Sequence, residues 1–153
     1  DLWIIDCTAG LLRDSWMCSQ AGHRVWACEQ NPLLAALIAD NQRRQGQLWP
    51  DNLRFFAKNA LCVLNNQQPD IVLIDPMFVR KKQKTKPDLY LQAIQAVALD
   101  YENPLHILES ALNVATQRVI LKRHKDEPIL LPKRLNHQRR SRSAPIRLDI
   151  YQK

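Results

Sequence analysis

Three short apolar runs in this chain each stop at a carboxylate. Leu2-Trp3-Ile4-Ile5 meets Asp6, Val25-Trp26-Ala27-Cys28 meets Glu29, and Ile71-Val72-Leu73-Ile74 meets Asp75. A run without polar alternation describes a strand covered on both faces, and such strands belong to parallel sheets flanked by helices. Between the runs the pattern changes to helical spacing. Leu11 to Gln20 is stopped by Gly22, and a longer helix runs from Pro32 to about Gln45, with Asn31 as N-cap and Gly46 as C-cap. Further on, 53–56 reads as a strand, 60–65 as a short helix, 88–99 and 104–116 as helices, and 118–123 as a fifth strand. Residues 129–131 fit a short strand or an apolar loop, 133–144 an exposed loop, and 146–151 an alternating edge strand. Strand and helix alternate at least four times, so the expected class is α/β with a mostly parallel sheet.

At 153 residues this is one domain's worth of chain. With 46% hydrophobic and 24% charged residues it has the composition of a globular domain, which excludes a disordered or fibrous class. No apolar run approaches the roughly 18 residues of a membrane-spanning helix, so no membrane partner is expected. Cys7, Cys18, Cys28 and Cys62 form no CxxC pair and have no histidines nearby. They read as buried free thiols in a reducing compartment, with no metal site. His23, His106, His124 and His137 have no serine or cysteine at suggestive spacing, so a hydrolase triad is unsupported. The first residues already belong to a central strand, which leads us to expect a natural segment ahead of this domain.

In an open parallel sheet, ligands bind outside the carboxyl ends of the strands. Three acidic strand ends on that edge therefore point to a binding site, with Asp6 and Glu29 as candidate ligand contacts. Glu29 can accept both hydroxyls of a ribose through its two oxygens; the competing reading is a surface carboxylate offset by Arg24 or Arg44. The turn after Asp6 carries a single glycine, Gly10, so the GxGxxG pyrophosphate cradle of NAD or FAD proteins is absent. What remains suits a ligand without phosphates. Gly10 permits close backbone approach, while Arg13 and Asp14 offer one charge of each sign to a zwitterionic amino-acid moiety, or else form an ordinary first-turn helix pair. Asp75-Pro76-Met77-Phe78 is the sharpest motif. The Asp75 carboxylate and Pro76 carbonyl can accept hydrogen bonds from an exocyclic amine while Phe78 stacks on its ring; otherwise Pro76 simply ends a strand and Phe78 is core.

Taken in order, DCTAGLLRD (6–14), CEQNPLLAALIADNQRR (28–44), PDIVLIDPMF (69–78), RVILKRH (118–124) and RLDIY (147–151) resemble class I S-adenosylmethionine-dependent methyltransferases. They are most similar to the bacterial RsmJ family of small-subunit (16S) ribosomal RNA guanine-N2 methyltransferases. The resemblance implies a Rossmann-like, mostly parallel sheet of seven (or six) strands with helices on both faces, in a single domain over 1–153. It implies S-adenosylmethionine as cofactor, S-adenosylhomocysteine as product and a cytoplasmic enzyme acting on ribosomal RNA or the small subunit. It implies that Arg13, Asp14, Glu29, Gln30, Lys58, Asn59 and Asp75 hold the cofactor, and that Asp75, Pro76 and Phe78 serve catalysis. Leu12 departs from the family's GLGRD loop, replacing its second glycine, and is expected to crowd the cofactor. Gln30, Lys58, Asn59 and Leu148 also depart from the residues common there.

Charge is distributed unevenly. Residues 1–79 hold 6 Lys/Arg against 8 Asp/Glu, a net of −2, and residues 80–153 hold 16 against 7, a net of +9. The basic half begins with Arg80, Lys81, Lys82, Lys84 and Lys86, placed to grip phosphates flanking a nucleotide bound at Phe78. Lys122 and Arg123, ending the fifth strand at the same edge, join them as candidate RNA contacts. Arg134, Arg139, Arg140 and Arg142 fit a solvated tail and RNA contact equally well. Two other functions stay open: methyl transfer to another amine, on DNA, protein or a small molecule, and a non-catalytic RNA-binding or cofactor-sensing module.

Overall fold

The apolar runs become the central strands of one sheet. The computed structural model describes residues 1–76 and 103–152; Met77, Phe78, the basic 80–86 loop and the expected 88–99 helix lie outside the described residues. The elements are β1 (Trp3–Asp6), α1 (Arg13–Gln20), β2 (Arg24–Cys28), α2 (Pro32–Gln45), β3 (Leu53–Phe56), α3 (Ala60–Leu64), β4 (Ile71–Ile74), α4 (Pro104–Val114), β5 (Arg118–His124), β6 (His137–Arg140) and β7 (Ile146–Gln152), with single 3-10 turns at Gly46–Leu48 and Pro132–Arg134. Seven strands lie in the order β3-β2-β1-β4-β5-β7-β6. β1 to β5 pair in parallel, and β7 runs antiparallel to both β5 and β6.

Burial on both faces explains why the strands show no polar alternation. Ile5, Val72, Ile74, Val119 and Leu121 face a core shared with Ala60, Val63 and Leu64 of α3 and Ile107, Leu108, Ala111 and Leu112 of α4. The alternate residues Ile4, Val25, Ala27, Leu53 and Ile71 face a second core with Leu12 and Ile38. Successive residues of a strand point to opposite faces, so neighbours such as Ile4 and Ile5 belong to different cores. Local signals set the helix ends. The Asn31 side chain accepts from the Leu33 and Leu34 amides, Pro32 opens α2, and Gly46 follows it at φ 50°, the left-handed region glycine enters at little cost.

Two expectations at the C-terminal end are corrected. Within the stretch read as exposed loop, residues 137–140 form β6, because their backbone finds ladder partners on β7; His137-Gln138-Arg139-Arg140 has no apolar alternation to announce it. For the same reason β7 is not the edge: it lies between β5 and β6. Residues 129–131 are loop rather than strand. Burial of the thiols also holds only in part, since Cys7 and Cys28 are buried but Cys62 is exposed.

Leu12 takes φ 66° immediately before α1. It is the conformation a glycine would hold there. The left-handed region costs a leucine about 1–2 kcal/mol, yet its side chain is 3% exposed and packed in the second core. Removing a buried leucine costs about 2–5 kcal/mol, so packing outweighs strain. Leu12→Gly is therefore expected to lower stability by about 1–3 kcal/mol in a denaturant titration, despite relieving the backbone; a stabilised variant would reverse that balance.

Candidate functional site

Connections leave β1 toward β2 and β3 on one side and resume at β4 on the other. Loops diverge at such a switch point and open a crevice at the carboxyl edge of the sheet. Asp6 ends β1 on one side of it, and Asp75 follows β4 on the other.

The Asp6 carboxylate is buried and accepts the Thr8 amide (3.1 Å) and the Ser15 hydroxyl. Burial pushes its pKa up to about 6, against the pull of those two bonds and aided by the nearby charges of Asp14 and Asp75. The Thr8 hydroxyl accepts the Asp75 backbone N–H at 2.6 Å, tying the two sides of the switch point together. A carboxyl whose folded pKa is raised from 3.8 stabilises the fold while protonated. That contribution, about 3 kcal/mol for this shift, is full below about pH 4 and is lost as pH rises through 6. Asp6→Asn has no such titration. Its melting temperature relative to the parent is expected to climb between pH 4 and pH 7, and a constant difference would contradict the buried carboxylate's titration.

Gly10 adopts φ 55°, and nothing lies within 4 Å of where a Cβ would stand. Its N–H donates to Glu29 Oε2 at 2.9 Å, while Glu29 Oε1 accepts the Asn31 amide at 2.7 Å. Glu29 is thus no surface carboxylate: it is 2% exposed. The guanidinium groups of Arg24 and Arg44 are occupied elsewhere, Arg24 over the Trp3 ring at 4.7 Å and Arg44 with Asp40 at 2.6 Å. Next along the edge, Asn59 caps α3 through Leu61 N–H and donates through Nδ2 to Gln30 Oε1 at 3.0 Å. Lys58 and Arg13 are exposed.

Lys122, expected at this edge as an RNA contact, places its Nζ 2.7 Å from Asp75 Oδ2 and 3.3 Å from Asp14 Oδ2. The signal lay in the register: Ile74 pairs with Leu121, so the following residues, Asp75 and Lys122, fall side by side. Burial raises the Asp75 carboxyl pKa, with the Asp14 charge adding to it, while the Lys122 ammonium opposes the rise. Burial likewise works to lower the Lys122 pKa, but its bonds to Asp75 and Asp14 leave it raised. Arg123, the other candidate RNA contact on β5, is 7% exposed and paired with Glu127 at 2.8 Å on the sheet's covered face.

Asp6, Asp14, Asp75 and Lys122 line a cleft of about 530 Å³ whose walls include Leu73 and Ile120. Leu12 is not among the residues that line it, and its side chain lies in the second core. Of the expected site residues, the structure brings together Asp6, Asp14 and Asp75 at the cleft, Gly10 with Glu29, and Gln30 with Asn59. Pro76 is buried directly after Asp75. Thr8, Ser15 and Lys122 complete this edge without having been read as part of the cofactor site. Among the described residues no group of three His, Cys, Asp or Glu side chains is arranged to hold a metal ion. No described helix is long and apolar enough to cross a membrane.

A family model described as "Putative SAM-dependent methyltransferase" matches residues 1–153. The chain is 30% identical, over 98% of its length, to a protein of Dechloromonas aromatica named Ribosomal RNA small subunit methyltransferase J, and covers 64% of that relative. It is 32% identical, over 97% of its length, to a protein of the same name from Hydrogenovibrio crunogenus, covering 56% of it. Among solved structures, a SAM-dependent methyltransferase from Neisseria gonorrhoeae superimposes with a TM-score of 0.71 at 26% identity, over 98% of this chain and 64% of that one. The chain thus spans less than two thirds of each of these proteins.

Proposed function

This chain belongs to the SAM-dependent methyltransferase family, and from that premise we propose that it methylates the exocyclic N2 of a guanine in small-subunit (16S) ribosomal RNA, in the cytoplasm. The observation that carries the reading is Asp75, fixed beside the switch point by Thr8 and Lys122 and followed by the buried Pro76.

The residues at the edge fit S-adenosylmethionine. A carboxylate is an acceptor-only group with two oxygens, so Glu29 at the end of β2 is of the right chemistry for a ribose diol. The open space over Gly10 admits a ligand against the backbone. Asp14 and Arg13 offer opposite charges to the amino and carboxylate groups of a methionine moiety, while Gln30, Lys58 and Asn59 stand beyond Glu29. When bound, the cofactor supplies a methyl group made electrophilic by the adjoining sulfonium.

Guanine N2 is a poor nucleophile because its lone pair is delocalised into the ring. Hydrogen bonds from N2–H to the Asp75 carboxylate and the Pro76 carbonyl favour a more tetrahedral nitrogen and stabilise the positive charge that grows on it. The Lys122 ammonium favours the ionised form of Asp75, against the rise in pKa that burial causes. Phe78, two residues past Pro76, supplies the stacking surface in this reading, and the target base must be splayed out of its RNA to reach it. The relatives' name and the +9 net charge of residues 80–153 favour ribosomal RNA over other amine substrates.

Calorimetric titration with S-adenosylmethionine, paired with tritium transfer to ribosomal RNA, DNA and protein, tests this. Binding heat with label entering only the RNA is the expected result. No binding would identify a non-catalytic module, and label in DNA or protein would identify a different amine substrate.

A further inference from the structure

We propose that the β6–β7 hairpin is a phosphate clamp, in which Arg139, Arg140 and Arg142 hold the RNA backbone next to the nucleotide being methylated. The inference rests on the RNA reading above and adds a second gripping element to it, from a stretch whose sequence fitted a solvated tail equally well.

Position comes first. β7 runs antiparallel to β5, so its first residue, Ile146, pairs with His124 at the carboxyl end of β5. The turn between β6 and β7 therefore lies at the same sheet edge as Asp75. Arg139 and Arg140 line the very cleft that Asp75 and Lys122 line, and Arg142 follows in the turn.

Charge comes second. All three arginines are exposed, and among the described residues no carboxylate pairs with them. The acid nearest in the hairpin's own strands, Asp149, is buried and already engaged: Arg147 reaches it through two bonds of 2.7 and 2.9 Å, and Gln138 Nε2 donates to it at 2.8 Å. Arg147 also donates to the Lys125 and Glu127 carbonyls. One basic residue thus anchors the hairpin from inside, and three are left to face solvent.

Rigidity comes third. Ser141 N–H donates to Ile146 O at 2.9 Å, and the Ser141 hydroxyl accepts the Ser143 and Ala144 amides. The arginines stand on a closed ladder rather than on a free tail. Guanidinium groups match phosphate oxygens through paired N–H donors, so such a platform positions a backbone without reading its sequence.

Charged side chains also guard an edge strand against pairing with another chain, and β6 is the edge here. Charge reversal separates the two roles, because glutamates guard an edge as well as arginines do but repel phosphate. The test measures binding of a short fluorescein-labelled single-stranded RNA by anisotropy across a salt series, for the parent, the R139E/R140E/R142E variant and the R139K/R140K/R142K variant. Each phosphate contact on a single strand contributes about 0.7 to the slope of log K against log salt. The glutamate variant should bind at least about 10-fold more weakly with its slope reduced by about 2, and the lysine variant should keep most of the parent slope. Should the triple glutamate variant lose its melting transition, Arg142→Glu alone, outside the β6 ladder, should lower the slope by about 0.7.

An unchanged affinity and slope in folded glutamate variants, or no RNA binding by the parent, would overturn the clamp. Methyl transfer, measured alongside, separates this from the functional reading. A parent that methylates RNA with a KM unmoved by charge reversal keeps the function and loses the clamp. A parent that binds RNA through these arginines but transfers no methyl group keeps the clamp and loses the function.

Discussion

Asp75→Ala is expected to lower kcat for methylation of small-subunit ribosomal RNA by about 10²–10³-fold, the usual cost of removing one hydrogen-bonding group aimed at charge that develops in the transition state. The fold should survive. Asp75 is only half-buried, and its link to Thr8 runs through the backbone N–H, which alanine keeps. The pH dependence follows from the same geometry. Only the carboxylate stabilises positive charge on the nitrogen, so the rate should fall as pH drops through the Asp75 pKa. Burial raises that pKa and Lys122 restrains it. Lys122→Met should therefore move the acid limb of the kcat profile to higher pH, and an unmoved limb would show that Lys122 does not govern the ionisation of Asp75.

Glu29→Ala should act on stability and cofactor binding together. The Gly10 and Asn31 amides both donate to this carboxylate, and each buried donor left without an acceptor costs about 1–3 kcal/mol. A loss of about 2–5 kcal/mol in a denaturant titration is expected. The Glu29 bonds also hold the turn at Gly10 against the start of α2. Binding of S-adenosylmethionine should weaken by about 100-fold or more, as both the proposed ribose acceptor and the set of the turn disappear. Glu29→Gln keeps one acceptor oxygen, so it should recover part of the stability. Full cofactor affinity in folded Glu29→Ala would remove Glu29 from the binding site.

Signals that act over short sequence distances carried most of the fold. Asn31, Pro32 and Gly46 bracket α2 through contacts within a few residues, and the apolar runs of β1, β2 and β4 announce burial on two faces. β6 was illegible because its pairing comes from β7 rather than from its own side chains. The site divides in the same way. Asp6, Glu29 and Asp75 stood out because each ends an apolar run. The partners of Lys122, Asp75 and Asp14, lie 47 and 108 residues away in the chain, while Arg123 finds Glu127 four residues on. Lys122 faces the cleft and Arg123 a covered face, and the pairing of β4 with β5 decides which. Leu12 shows a different limit. Its backbone takes a left-handed conformation while its side chain turns into the core, and neither is marked by the residues around it in the sequence.

The central claim is the identity of the methylated atom, and nucleoside analysis tests it most directly. Small ribosomal subunits incubated with the protein and tritiated S-adenosylmethionine would be digested to nucleosides and separated. The account predicts label in N2-methylguanosine from the small-subunit RNA, entering about 10²–10³-fold more slowly with Asp75→Ala. Label in any other nucleoside, or in ribosomal protein, would contradict it.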